Sequence, residues 1–99
     1  MKIKWKRLKN IASVIAKRNV EINLTTDDSM KGYNALVEYN GDSVLVFLNG
    51  NNCKSLDNVI DALAHELSHV VTGDQQDSNR HKKTWDSLKE KIKEEYHKV

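Results

Sequence analysis

Proline is missing from this 99-residue chain, cysteine occurs once, at Cys53, and no apolar run is long enough to cross a membrane. Each absence removes a class. A single cysteine excludes an internal disulfide framework, and a cytoplasmic location is the simpler expectation. The apolar run nearest the N-terminus, Ile11 to Ala16 with Ser13 inside it, falls short of the about 7–15 residues of a secretory signal core. Without proline, repeats or low-complexity tracts, nothing marks a linker, and residues 1–99 read as one domain. A chain of this length buries roughly 60–65% of the surface it would expose unfolded. Any site must therefore lie close to a modest core.

Apolar residues at 38% and charged residues at 30% are the mix of an ordinary soluble globular protein. The net charge of +2 conceals an asymmetry, because Lys2, Lys4, Lys6, Arg7, Lys9, Lys17 and Arg18 all precede the first acid, Glu21. A basic end of this kind either meets nucleic acid or another anionic surface, or is a solvated helix face. The pattern alone leaves both open, with the solvated face the commoner outcome.

Leu8, Ile11, Ala12 and Ile15 recur at helical spacing, so the first 18 residues or so read as an amphipathic helix. Val20 to Leu24 alternates as a strand does, and the polar stretch Thr25 to Asn34 reads as a loop. Ala35 to Tyr39 and Val44 to Leu48 flank Asn40-Gly41-Asp42, a hairpin signal. After the break at residues 49–52, Ser55 stands before the periodic series Leu56, Ile60, Leu63, Leu67 and Val70, which predicts a helix ending near Gly73. A polar break at residues 74–79 precedes a last helix carrying Trp85, Leu88, Ile92 and Tyr96. Helix, three strands and two helices in that order predict an α+β domain with a mainly antiparallel sheet.

The penultimate helix carries His65-Glu66-Leu67-Ser68-His69, an H-E-x-x-H pentad. Two histidines four residues apart lie one above the other on one helix face, about 6 Å between Cβ atoms, so both imidazoles can reach one ion. Glu66 is rotated by roughly 100° from His65 and about 60° from His69. It flanks the ion without competing to ligate it, where a base for a metal-bound water is needed. Random order of this composition would produce such a pentad with a frequency on the order of 0.01. Helical phase also separates the pair from the core. With His65 at zero, Leu56, Val59, Ile60, Leu63, Leu67, Val70 and Val71 fall between roughly 120° and 240°, while the histidines fall near 0° and 40°. Beside them stand Asn58, Ala62 and Thr72, small or polar, as a cleft floor requires.

Zinc is the expected ion, with three protein ligands and a fourth position for water. Two residues compete for the third place. Glu90 lies 21 residues after His69 but points about 180° from His81 on the last helix. His81 shares the stripe of Trp85, Leu88, Ile92 and Tyr96, which aims it inward, so His81 is the expected ligand. Asp74, Asp77 or Glu95 would complete the site if His81 were a buried or capping residue. The metzincin pattern is excluded, since Thr72 and Gln75 stand where it requires glycine and a ligand.

In this order and approximate spacing, Phe47-Leu48-Asn49, the pentad, and His81-Lys82-Lys83-Thr84-Trp85 resemble the SprT-like zinc peptidases, which include Spartan. The likeness covers roughly residues 44–92. Lys82 stands where that family usually has glycine after the third histidine, and the lone Cys53 excludes the cysteine-rich zinc ribbon that some members add. The resemblance implies a small zincin-like domain without that ribbon, acting on protein or peptide substrates. It also implies that the strand Val44–Leu48 borders the cleft and pairs with an extended peptide by strand addition.

The expected mechanism is hydrolysis of a peptide bond, with Glu66 taking a proton from the metal-activated water and passing it to the leaving amine. Tyr33, Tyr39, Tyr96 and His97 are candidates for stabilising the oxyanion, and each is as readily a packing or surface residue. Trp85 reads as packing against the pentad helix or, less simply, as a substrate wall. Asp57 and Asp61 either orient a ligand or complement the helix dipole, and Cys53 reads as a loop residue without a role. A different class of function survives beside this one: a metal-stabilised module that binds nucleic acid through the basic first helix without turnover. Glu66 speaks against it, because a structural site needs no base beside its ligands.

Overall fold

The computed structural model describes residues 2–73 and 79–98. Helix α1 (Trp5–Ala16) buries Leu8 and Ala12 completely, the inward pair of its stripe. It is shorter than its basic, amphipathic sequence suggested, because Lys17 steps into the left-handed region (φ 58°) and turns the chain. The main-chain N–H of Val20 then donates to Ser13 Oγ at 3.0 Å, which sets strand β1 (Val20–Thr25) against the end of that helix.

Strands β2 (Ala35–Asn40) and β3 (Ser43–Asn49) form the expected hairpin, in register from Asn40 opposite Ser43 to Ala35 opposite Leu48. Gly41 takes the first turn position with φ +61°, a conformation that side chains resist and that two-residue hairpin loops require. The expectation of a mainly antiparallel sheet is corrected at β1. That strand lies on the other side of β3 and runs parallel to it, Val20 opposite Val44 through Thr25 opposite Asn49, so the order is β1-β3-β2 and the sheet is mixed. The same arrangement corrects the expected role of Val44–Leu48. Both sides of β3 are already paired, leaving no edge to which a peptide could add, and the edges belong to β1 and β2. The short helical turn Asp28–Met30 lies between β1 and β2, and the run from Thr25 to Asn34 lets the chain pass around to the far edge.

β3 reads as the centre of the sheet in its burial, with Val44, Val46 and Leu48 fully buried on one face. Helix α2 (Leu56–Thr72) packs against that face through Val59, Ile60, Leu63 and Leu67, each worth about 1.5–3 kcal/mol of burial. Its ends are where the residue types place them. Ser55 Oγ accepts the Asn58 N–H at 3.1 Å, and Gly73 (φ +74°) closes the helix by donating to the His69 carbonyl at 2.9 Å. Helix α3 (Asn79–Tyr96) lies across α2 with Leu88, Ile92 and Tyr96 buried. The Tyr96 hydroxyl accepts the Lys4 N–H at 3.0 Å, tying the end of α3 to the start of α1. The result is an α+β fold of three helices and one three-stranded sheet, with α2 between the sheet and α3. None of the described helices is long and apolar enough to cross a membrane.

Candidate metal centre

Helical geometry alone puts His65 and His69 together, with ring centroids 5.0 Å apart on adjacent turns of α2. The packing of α3 on α2 brings in His81, whose ring stacks on His69 at 4.0 Å and lies 5.0 Å from His65. Among the described residues these three histidines form a group whose candidate ligand nitrogens all lie within 4.8 Å of one another. Nitrogens bound to one zinc at about 2.0–2.1 Å need to be about 3.4 Å apart, so small side-chain rotations would close the group around an ion. Its chemistry also suits a borderline transition metal, since all three donors are imidazoles. His81 is 1% exposed, whereas His65 and His69 are only half-buried, which leaves one side of the group open.

Glu66 sits beside His65 on α2 and is 7% exposed. A carboxylate this deep is costly unless its surroundings compensate. Glu90, the competing sequence candidate, is exposed on α3 and does not join the histidines. Glu95 is held by Lys98 at 2.8 Å at the far end of that helix. Asp74 and Asp77 lie outside the described residues.

Ser68 is a member of this site that the sequence reading passed over. It is fully buried, donates to the His65 carbonyl at 2.5 Å, and meets His81 Nδ1 at 2.7 Å. Ser68 shares its helical phase with Asp57 and Asp61, and that is the side of α2 that faces α3. Trp85 packs against the pentad helix, the simpler of its two expected roles. Its indole stacks on His65 (4.2 Å, 11° between planes) and donates through Nε1 to the Asp61 carbonyl at 3.1 Å. It also walls a pocket of about 210 Å³ that runs from His65 past Ala62, Asn58 and Asp61 to Cys53, Asn52, Asn34 and Ala35. Ala62 and Asn58 thus form part of its floor, as their phase beside the histidines suggested.

The acids one and two turns before the pentad, Asp61 and Asp57, act between helices. Asp57 reaches Lys93 Nζ at 3.1 Å and Asp61 reaches Lys89 Nζ at 3.2 Å. The Lys93 hydrogen bond holds the Asp57 carboxyl below the ordinary aspartate range, and that to Asp61 holds Lys89 above the ordinary lysine range. Cys53 is buried on the pocket wall, its Sγ 3.7 Å from the Asn34 carbonyl, and burial pushes its thiol upward, away from reactivity. Asn49 ties together the loop segments beside that wall. Its side chain donates to the carbonyls of Met30 and Tyr33 and accepts from the Asn51 N–H.

Of the tyrosine and histidine candidates for oxyanion binding, Tyr96 and His97 pack together at the end of α3, and Tyr39 lies under Arg18 at 5.6 Å. Tyr33 is exposed on the loop just before Asn34 and is not among the residues that line the pocket. At the basic N-terminus, Lys9 pairs with Glu21 at 2.8 Å, and Arg7 donates to the Lys98 carbonyl, while Lys2, Lys4, Lys6 and Lys17 are exposed.

No protein-family model matches this chain, and neither a curated protein nor a solved structure matches it.

Proposed function

We propose that this protein is a zinc-dependent peptidase of the SprT-like kind, a small zincin-like domain in which His65, His69 and His81 hold the metal and Glu66 is the general base. The observation that carries the reading is the convergence of His81 from α3 on the two pentad histidines of α2, beside a buried glutamate and an open pocket. A zinc ion held there supplies Lewis acidity, lowering the pKa of a ligated water towards 7 and polarising a carbonyl.

The chain's own residues supply the rest. Glu66, turned away from the ligand positions, takes the water proton and returns it to the leaving amine. Its burial excludes competing solvent and strengthens its interaction with charge that develops nearby. Trp85 fixes the plane of His65 by stacking on it. The pocket beside His65 receives a substrate side chain. An extended peptide pairs along the outer edge of β2, whose first residue, Ala35, lines that pocket. The lone, protonated Cys53 suits a reducing compartment, and we place the activity in the cytoplasm.

The test is zinc content measured together with hydrolysis of an unfolded protein substrate. Wild type should bind one zinc and cleave; Glu66→Gln should keep the zinc and the fold while losing about 10²-fold or more in rate. Equal activity in the two proteins would end the peptidase reading.

A further inference from the structure

Ser68 takes no part in the chemistry proposed above, yet it touches two of the three histidine residues. Its Oγ lies 2.5 Å from the main-chain carbonyl oxygen of His65 and 2.7 Å from Nδ1 of His81, in a fully buried setting. A hydroxyl has one proton to give. The carbonyl can only accept, so the short contact with His65 takes that proton. The contact with His81 then holds only if Nδ1 carries a hydrogen and Oγ accepts it. A neutral imidazole protonated at Nδ1 keeps its lone pair on Nε2. In His81 that Nε2 is buried, in the residue that joins the other two histidines.

We infer that Ser68 is a positioning residue that fixes His81 as the Nδ1–H tautomer, so that His81 presents Nε2 to the metal. The inference rests on the metal site proposed above. The two bonds form a relay from the ring of the third ligand, through one hydroxyl, to the backbone of the first. Ligand histidines elsewhere are oriented by a carboxylate or carbonyl bonded to the second ring nitrogen. Here a serine inside the pentad does this, with the His65 carbonyl behind it. Because Ser68 belongs to α2, the helix that supplies two ligands also sets the orientation of the ligand arriving from α3. The plainer alternative makes Ser68 an ordinary helix hydroxyl bonded to a carbonyl in the preceding turn. That alternative leaves the His81 ring indifferent to loss of the hydroxyl.

Ring-nitrogen NMR of the histidines in the metal-free protein, followed by zinc competition against a chelator, separates the two. Wild type should show His81 protonated on Nδ1 and unprotonated on Nε2. Ser68→Ala should move the ring towards the Nε2–H tautomer and weaken zinc by about 10–100-fold. A wild-type His81 carrying its proton on Nε2 would overturn the inference. So would a Ser68→Ala protein with unchanged tautomer and unchanged zinc affinity. The wild-type spectrum needs neither the variant nor the metal. A wild type that binds no zinc would therefore sink the metal reading, while the tautomer still decides the role of Ser68.

Discussion

His65 and His69 share one helix, so their separation follows from the helix itself, whereas His81 reaches them only because α3 packs across α2. That difference decides what each substitution should do. On the proposed reading, losing His81 removes a ligand and also the bridge between two helices, in a chain whose small core leaves little stability in reserve. His81→Ala should lose most of its bound zinc. A chelator should lower the wild-type Tm, by the linkage that gives about 2.7 kcal/mol at a hundredfold excess of ligand over Kd, and should barely move that of the variant. An alanine variant holding one zinc as tightly as its parent would assign the third place elsewhere. The pentad was legible in sequence because its chemistry needs a fixed spacing, and the inward aim of His81 was legible because a core stripe runs through it. Ser68 was not. It occupies a position that the motif leaves variable, and its significance depends on which side of α2 meets α3, a tertiary fact. Trp85 was legible only by halves, since a stripe predicts packing but does not say that the partner is the ring of a candidate ligand.

At the scale of elements, the parts with local causes were readable: the hairpin from Gly41, the start of α2 from Ser55 and its end from Gly73. The parallel pairing of β1 with β3 has no local signal. Alternation predicts a strand but does not name its neighbour, and β1 takes its place through burial of Val20 beneath α1 and its register with Val44. The α2–α3 contact likewise depends on pairs distant in sequence, Asp57 with Lys93 and Asp61 with Lys89. Their protonation sets a pH dependence whose sign can be worked out. The folded-state value of Asp57 is depressed, so its contribution is complete above the ordinary aspartate value of about 3.9 and is lost as pH falls through the lower folded value. Lys89 is raised, so its contribution is complete below the ordinary lysine value of about 10.4 and fades only as pH rises above it. Thermal melts with a chelator present, so that metal loss adds nothing, should show a small drop in Tm below about pH 4. Asp57→Asn should lower Tm slightly near pH 7, where that contribution is complete, leave the acid end unchanged, and so flatten part of that drop. An unchanged acid limb would mean that the pair contributes nothing to folding.

At the scale of the whole molecule, the question is how much of the basic N-terminus is available to a partner. Seven cations precede Glu21, but the fold already uses three: Lys9 on Glu21, Arg7 on the Lys98 carbonyl, and Arg18 over Tyr39. Lys2, Lys4, Lys6 and Lys17 remain exposed. Four phosphate contacts give a slope of log K against log salt of about −3.6 on duplex DNA, where seven would give about −6.3. Any affinity for DNA should therefore fall by roughly 10²-fold between 50 and 200 mM salt and no more steeply. Lys4→Gln with Lys6→Gln should reduce the slope by about 1.8 while leaving zinc content untouched, since neither residue is a candidate ligand. A slope near −6 would mean that Lys9, Arg7 and Arg18 leave their partners on binding. Absence of binding even at low salt would assign the exposed lysines to solvation alone. Zinc and nucleic acid are then separable in the same protein. If the double substitution abolishes DNA affinity while proteolysis of a free unfolded substrate is unchanged, the basic end selects where the peptidase works. If it slows cleavage of that free substrate too, those lysines belong to the substrate path itself.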